Sequence, residues 1–174
     1  MPRFRLLATV ALVLIVSGCG FHLRSRIALP ADLGPVRVVS STPYSPLADS
    51  LADGLALSGA VAASEDDTKA ATLQVVSERW GDLPIAIDAQ GRAQEFSLRY
   101  AAVFVFRRAD GSELVPQQAV ELSRDYVSPP QNVTGTTTER EVIANELRRE
   151  MSAAILRRID GVIKGGAQVQ GTTP

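Results

Sequence analysis

The 174 residues contain one cysteine, and its surroundings point to acylation. Cys19 ends the run Val16-Ser17-Gly18-Cys19: a hydrophobic residue, two small ones and a thiol. Arg3 and Arg5 and an apolar stretch from Leu6 to Val16 come before it. A basic start, a short apolar core and a small-residue ending make a secretory signal, too short to cross a bilayer as a helix. Ending on cysteine, residues 1–18 have the form of a bacterial lipoprotein signal peptide, with Cys19 lipidated as the first residue of the mature chain. The alternative is ordinary secretion, which would leave a stray thiol beside the cleavage site. A single cysteine excludes a disulfide within the chain. Each buried CH₂ contributes about 0.8 kcal/mol and one acyl chain binds only marginally, so several chains on Cys19 would tether the protein without a spanning helix. Gly20, standing where an aspartate would retain the protein, favours sorting to the outer membrane.

No catalytic chemistry emerges beside this lipidation. His22, the only histidine, lies close to the anchor and reads as a surface contact, so neither a Cys/His pair nor a Ser-His-Asp triad can be built. Gly165-Gly166 follows a helix, whereas a phosphate-cradling loop precedes one. The acids Asp66 and Asp67, and Asp82 and Asp88, fall in expected loops and read as solvated charge. The chain is therefore read as a binding or assembly module, not an enzyme, with no metal and no cofactor beyond the covalent lipid on Cys19. One cation stands out. Arg92 falls near an expected hairpin tip, where a guanidinium can pair bidentately with a phosphate while Ile85 and Ile87 meet acyl chains. The competing reading makes Arg92 a solvated turn residue and the two isoleucines core. Formal net charge is −1, which gives no footprint for nucleic acid. Partners are expected among proteins and lipids.

The elements that would position these residues follow from local patterns. Residues 19–35 read as a lipid-anchored spacer that at roughly 3.3 Å per residue reaches up to ~50 Å. Val36-Arg37-Val38-Val39 reads as a strand. Ser45 and Pro46 open a helix with Leu47, Leu51 and Leu55 on one side and Gly59 as its stop. Leu73 to Trp80 reads as a second strand, with Leu73 and Val75 on one face and Val76 and Trp80 on the other. It continues past an irregularity at Gly81 into a hairpin turning at Ala89-Gln90-Gly91-Arg92. Phe96 to Phe106 gives the clearest strand. Asp110-Gly111 turns into a fourth, from Val120 to Tyr126, whose Glu121, Ser123 and Asp125 face water. Thr138 and Glu141 have capping-box spacing ahead of Ile143, Leu147, Met151, Ile155 and Ile159, and Gly165-Gly166 should stop that helix. Glu139 and Glu141 at its start, and Arg157, Arg158 and Lys164 near its end, suit the macrodipole. The expectation is one α/β (α+β) domain over 36–165: a two-layer sandwich with two helices on one face of a four-stranded mixed sheet. Residues 166–174 read as a disordered tail.

Cys19-Gly20-Phe21-His22-Leu23-Arg24 resembles the mature start of the LPS-assembly lipoprotein family, LptE. The likeness continues through the Pro-capped helix, the turn and strand from Gly91 to Tyr100, Ser123-Arg124-Asp125-Tyr126 and the closing helix with Glu146 to Met151. The resemblance implies an outer-membrane lipoprotein, with its domain on the periplasmic side or in a barrel lumen. Such a protein plugs and helps assemble the LptD β-barrel in a 1:1 complex, and takes part in inserting lipopolysaccharide into the outer leaflet. In the family, basic side chains around the hairpin tip and in the loop before the last helix are implicated in binding lipopolysaccharide. Here the directly equivalent tip position looks like Ala89, Arg92 lies near the tip with Ile85 and Ile87 beside it, and the loop offers Thr136, Thr137 and Thr138 with no lysine. Phe21, His22 and Arg24 are candidate membrane-proximal or barrel contacts. A free periplasm-facing lipoprotein that binds a small ligand or peptide is the competing expectation.

Overall fold

A computed structural model describes residues 27, 29–64, 66–128 and 133–170. The signal sequence lies outside the described residues, as do Cys19, Phe21, His22 and Arg24. Six elements follow in order: β1 (Val36–Ser40), α1 (Pro46–Leu57), β2 (Ala71–Ile87), β3 (Ala93–Arg107), β4 (Glu113–Val127) and α2 (Val133–Gln170). The sheet order is β1-β2-β3-β4. β1 runs parallel to β2, as a strand returning through a helix must, while β2, β3 and β4 are joined antiparallel by hairpins. Both helices lie on one face, giving the expected two-layer α+β sandwich.

The start of α1 forms as its sequence dictates. Ser45 is extended, its hydroxyl accepts from the Ala48 amide at 3.2 Å, and Pro46 occupies the first turn. Leu47, Leu51 and Leu55 are fully or almost fully buried. Gly59 has φ +93°, a conformation that an L side chain resists, and closes the helix. α1 also lies close against α2 at Gly54, where any β-carbon would collide with Leu156.

The core sits between helices and sheet. Leu98, Tyr100, Ala102, Phe104 and Phe106 of β3 line it, facing Leu147, Met151, Ile155 and Ile159 of α2. Leu33 belongs to the same core, and Ile27 and Leu29 pack against it. Packed structure therefore begins inside the stretch expected to be spacer.

Three expectations about the elements need correction. Trp80 lies on the same face as Leu73 and Val75, because the register slips between Val75 and Ser77. One extra residue there reverses the phase of the side chains that follow as far as Pro84, so Glu78, Trp80 and Asp82 face the helices opposite Ala102, Tyr100 and Leu98. Gly81, where an irregularity was expected, pairs regularly with Arg99; the remaining slips fall between Pro84 and Ile87. α2 starts at Val133, ahead of Thr138, and runs through Gly165 and Gly166 to Gln170. Neither glycine adopts the left-handed conformation that ends a helix. Thr138 is therefore no cap, and neither end of α2 carries the acidic or basic residues that the macrodipole argument assigned to it. Residues 171–174 of the expected tail lie outside the described residues.

Candidate functional site

The phase change at Val75/Ser77 turns three large polar or aromatic residues of β2 toward the helices, and each is met there. Glu78 Oε2 accepts from the Tyr100 hydroxyl at 2.6 Å, and its Oε1 accepts from Ser45, the cap of α1. One carboxylate thus joins β2, β3 and the start of α1. Burial, then the hydrogen bond to the Glu78 carboxylate, pushes the Tyr100 hydroxyl well above the usual tyrosine range, so it remains a donor. Trp80 stacks on Tyr100 with ring centroids 3.8 Å apart, and the Arg148 guanidinium lies 5.2 Å from the indole centroid.

Asp82 makes the second junction. Arg140 of α2 grips it with two nitrogens, Nε to Oδ1 at 2.9 Å and Nη2 to Oδ2 at 2.8 Å, while the Tyr126 hydroxyl donates to Oδ1 at 2.9 Å. Tyr126 in turn stacks with Phe96 at 5.6 Å. The Arg140 hydrogen bonds hold the Asp82 carboxyl below the usual carboxylate range. Asp82 is therefore neither in a loop nor simply solvated, contrary to the sequence expectation; it lies in β2 and clamps β2, β4 and α2.

The sign of the pH effect follows. Asp82 has a lower pKa folded than unfolded, so its contribution is complete above about pH 4 and is lost as pH falls through the folded pKa. Asp82→Ala is expected to cost about 1–2 kcal/mol at pH 7, because the pair is partly solvated. Asp82→Asn should weaken the dependence of Tm on pH below about pH 4; thermal melts at stepped pH check both.

Beyond these junctions the β2–β3 hairpin projects free of the helices. Asp88 organises its tip. Its Oδ1 accepts from the amides of Gln90 and Arg92 at 2.9 and 2.8 Å, and its Oδ2 from Arg92 Nε at 2.8 Å and Gln94 Nε2 at 3.1 Å. These bonds, led by the Arg92 amide, lower the Asp88 pKa to about 2. Gly91, at φ +76°, completes the turn. Arg92 thus sits at the tip as expected, with Nε committed to Asp88 and its side chain 55% exposed. Ile85 and Ile87 are 46% and 68% exposed. They are surface residues and not core, and the structure brings them together with Arg92 in one hairpin. The arrangement presents a cation beside exposed apolar side chains, a combination suited to an anionic amphiphile.

At the opposite end of the sheet lies a groove of about 520 Å³, lined by Ile27, Leu29, Leu33, Val36, Ala60 and Val61 among others. Among the described residues Ser58 supplies its only polar side chain, which already donates to the Gly54 carbonyl. Among the described residues no helix is long and apolar enough to cross a membrane.

Glu78, Tyr100, Arg148, Tyr126 and Arg140 did not stand out in the sequence. Each is an ordinary residue of its element, and only the face change in β2 gives them a shared role. A signal was present, however: Glu78 and Asp82 flank Trp80 at the two-residue spacing of one strand face.

Residues 33–159 match the model of a family described as lipopolysaccharide-assembly, LptE. The chain belongs to the LptE family. Among curated relatives, the LPS-assembly lipoprotein LptE of Photorhabdus laumondii is 26% identical over 147 residues, covering 84% of this chain and 80% of that protein. The LptE of Yersinia pestis strain Pestoides F is 28% identical over 151 residues, covering 84% and 70%. Two solved structures share the fold. Lipoprotein B from Nitrosomonas europaea aligns at TM-score 0.66 and 20% identity, over 86% of this chain and 96% of that one. Rare lipoprotein B from Shewanella oneidensis aligns at 0.63 and 18%, over 79% and 99%. The LptE match spans both junctions and the hairpin, so this family's fold contains the whole candidate site.

Proposed function

We propose that this LptE-family chain is an outer-membrane lipoprotein, anchored through lipid on Cys19 after removal of residues 1–18. In this role it plugs and helps assemble the LptD β-barrel as a 1:1 partner and takes part, without enzymatic chemistry, in inserting lipopolysaccharide into the outer leaflet. The observation that carries the reading is the family match across residues 33–159. The geometry supports it. With both helices on one face, the other face of the sheet carries mainly small, polar and charged residues, such as Ser77, Arg79, Gly81, Ala101, Ala119 and Ser123, with Leu83 as an exposed apolar exception, a mixed surface suited to the wall of a polar lumen.

The hairpin is the proposed contact for lipopolysaccharide. Arg92 directs Nε at Asp88 and keeps its terminal nitrogens for a phosphate, and Ile85 and Ile87 offer apolar surface to acyl chains. Phe21, His22 and Arg24, close to the lipid, are the proposed contacts with headgroups or the barrel rim.

Mild-detergent extraction of the tagged lipoprotein from outer membranes tests the partnership. Recovery of one large β-barrel in stoichiometric amount is the expected result. Recovery of the lipoprotein alone would contradict it and favour a free periplasm-facing lipoprotein that binds a small ligand or peptide.

A further inference from the structure

β1 is short and covers the edge of β2 only from Ala71 to Val75. Beyond that point β2 continues to Ile87, paired with β3 on one side and, among the described residues, with no strand on the other. The Val76 carbonyl accepts from the Ser41 hydroxyl at 2.8 Å; from Ser77 onward, half of the main-chain N–H and C=O groups stand at an open edge.

The other edge of the sheet is treated differently. β4 carries Pro116, and Arg158 of α2 donates to its Ala119 carbonyl at 2.8 Å. These features blunt an edge against further pairing. From Ser77 to Leu83, β2 has no proline, and Pro84 marks the limit of the open run.

Two side chains on the open sheet face mark the same stretch. Leu83, opposite Ser97, is 44% exposed. Arg79, opposite Ala101, is exposed and has no ion-pair partner among the described residues, whereas Arg99 and Arg107 on that face pair with Glu121 and Glu113.

We propose that the β2 edge from Ser77 to Leu83 accepts an added strand from a partner polypeptide. The added strand places a carboxylate beside Arg79 and an apolar side chain beside Leu83. Two residues four apart on one strand share a face, so an extended segment with an acid and an apolar residue at that spacing satisfies both positions. Main-chain pairing supplies the affinity and these two side chains the register. A lipid would meet Leu83 but would leave the alternating donors and acceptors unused. The proposal rests on the reading that the chain works inside a larger envelope assembly.

The test uses the full lipoprotein in the complex extracted with mild detergent, with amide hydrogen exchange read at single residues and compared with the lipoprotein alone. Alternate amides between Ser77 and Leu83 should exchange freely in the isolated protein and slow about 100-fold in the complex. Leu83→Lys and Arg79→Glu alter exposed side chains. Each should lower recovery of the partner about 10-fold without moving Tm, whereas Gln117→Lys on the far edge should leave recovery unchanged. A recovered partner with all these amides still fast would overturn the added strand and leave the assembly reading standing. Protection accompanied by cross-linking of β2 to a second copy of this chain would overturn it in favour of an edge-to-edge dimer. Recovery of no partner would sink the assembly reading and the added strand with it.

Discussion

Cys19→Ala, produced in excess over the proposed β-barrel partner, should move most of the protein from the membrane fraction to the soluble fraction and remove its function in the envelope. The expected effect is large because anchoring scales with buried CH₂ groups at about 0.8 kcal/mol each. One acyl chain gives a binding constant of only about 10⁴ M⁻¹, and additional chains multiply it to effectively permanent attachment. Among the described residues of the folded domain no helix is long and apolar enough to cross a bilayer. Fold and anchor also lie apart in sequence: among the described residues the buried core begins at Leu33, with Ile27 and Leu29 packed against it. The variant should therefore keep the wild-type Tm while losing its membrane location. Fractionation with a thermal melt of the soluble form checks both halves, and persistence in the membrane fraction would show that something other than the lipid holds it there.

Tyr100→Ala is the substitution expected to damage the fold most. The ring is fully buried, stacks on Trp80 and packs within the core between β3 and the helices. Its loss combines a cavity with an abandoned hydrogen bond at Glu78, about 3–5 kcal/mol together. Tyr100→Phe keeps the ring and removes only the donor at 2.6 Å from Glu78, which should cost about 1–2 kcal/mol. The difference between the two variants in urea unfolding measures packing against hydrogen bonding at this junction. Equal losses would mean that the hydroxyl alone matters and that the stacked pair contributes nothing.

Much of this architecture is written locally in the chain. Ser45-Pro46 sets the start of α1, Gly59 and Gly91 sit where a positive φ is needed, and the alternation of Phe96 to Phe106 fixes the central strand and its buried face. The bulge after Val75 is not written there. It needs one extra residue and no special residue type, yet it decides whether Trp80 faces the helices or the open side. Everything at the two junctions depends on that phase, which is why Glu78 and Asp82 read as ordinary polar residues until the register is known. The ends of α2 depart from the local signals for a related reason. Thr138 and Gly165-Gly166 are valid boundary signals, but a boundary signal acts only where the backbone leaves the helix, and at these positions it does not. Arg92, Ile85 and Ile87 were legible because turn chemistry and exposure at a hairpin tip are local properties.

The proposed role in placing lipopolysaccharide in the outer leaflet is tested by depleting this protein in cells and following newly made lipopolysaccharide with a reagent confined to the cell exterior. The surface-accessible fraction should fall as the protein is depleted, and re-expressed wild type should restore it while Cys19→Ala does not. An unchanged surface fraction after depletion would contradict that role.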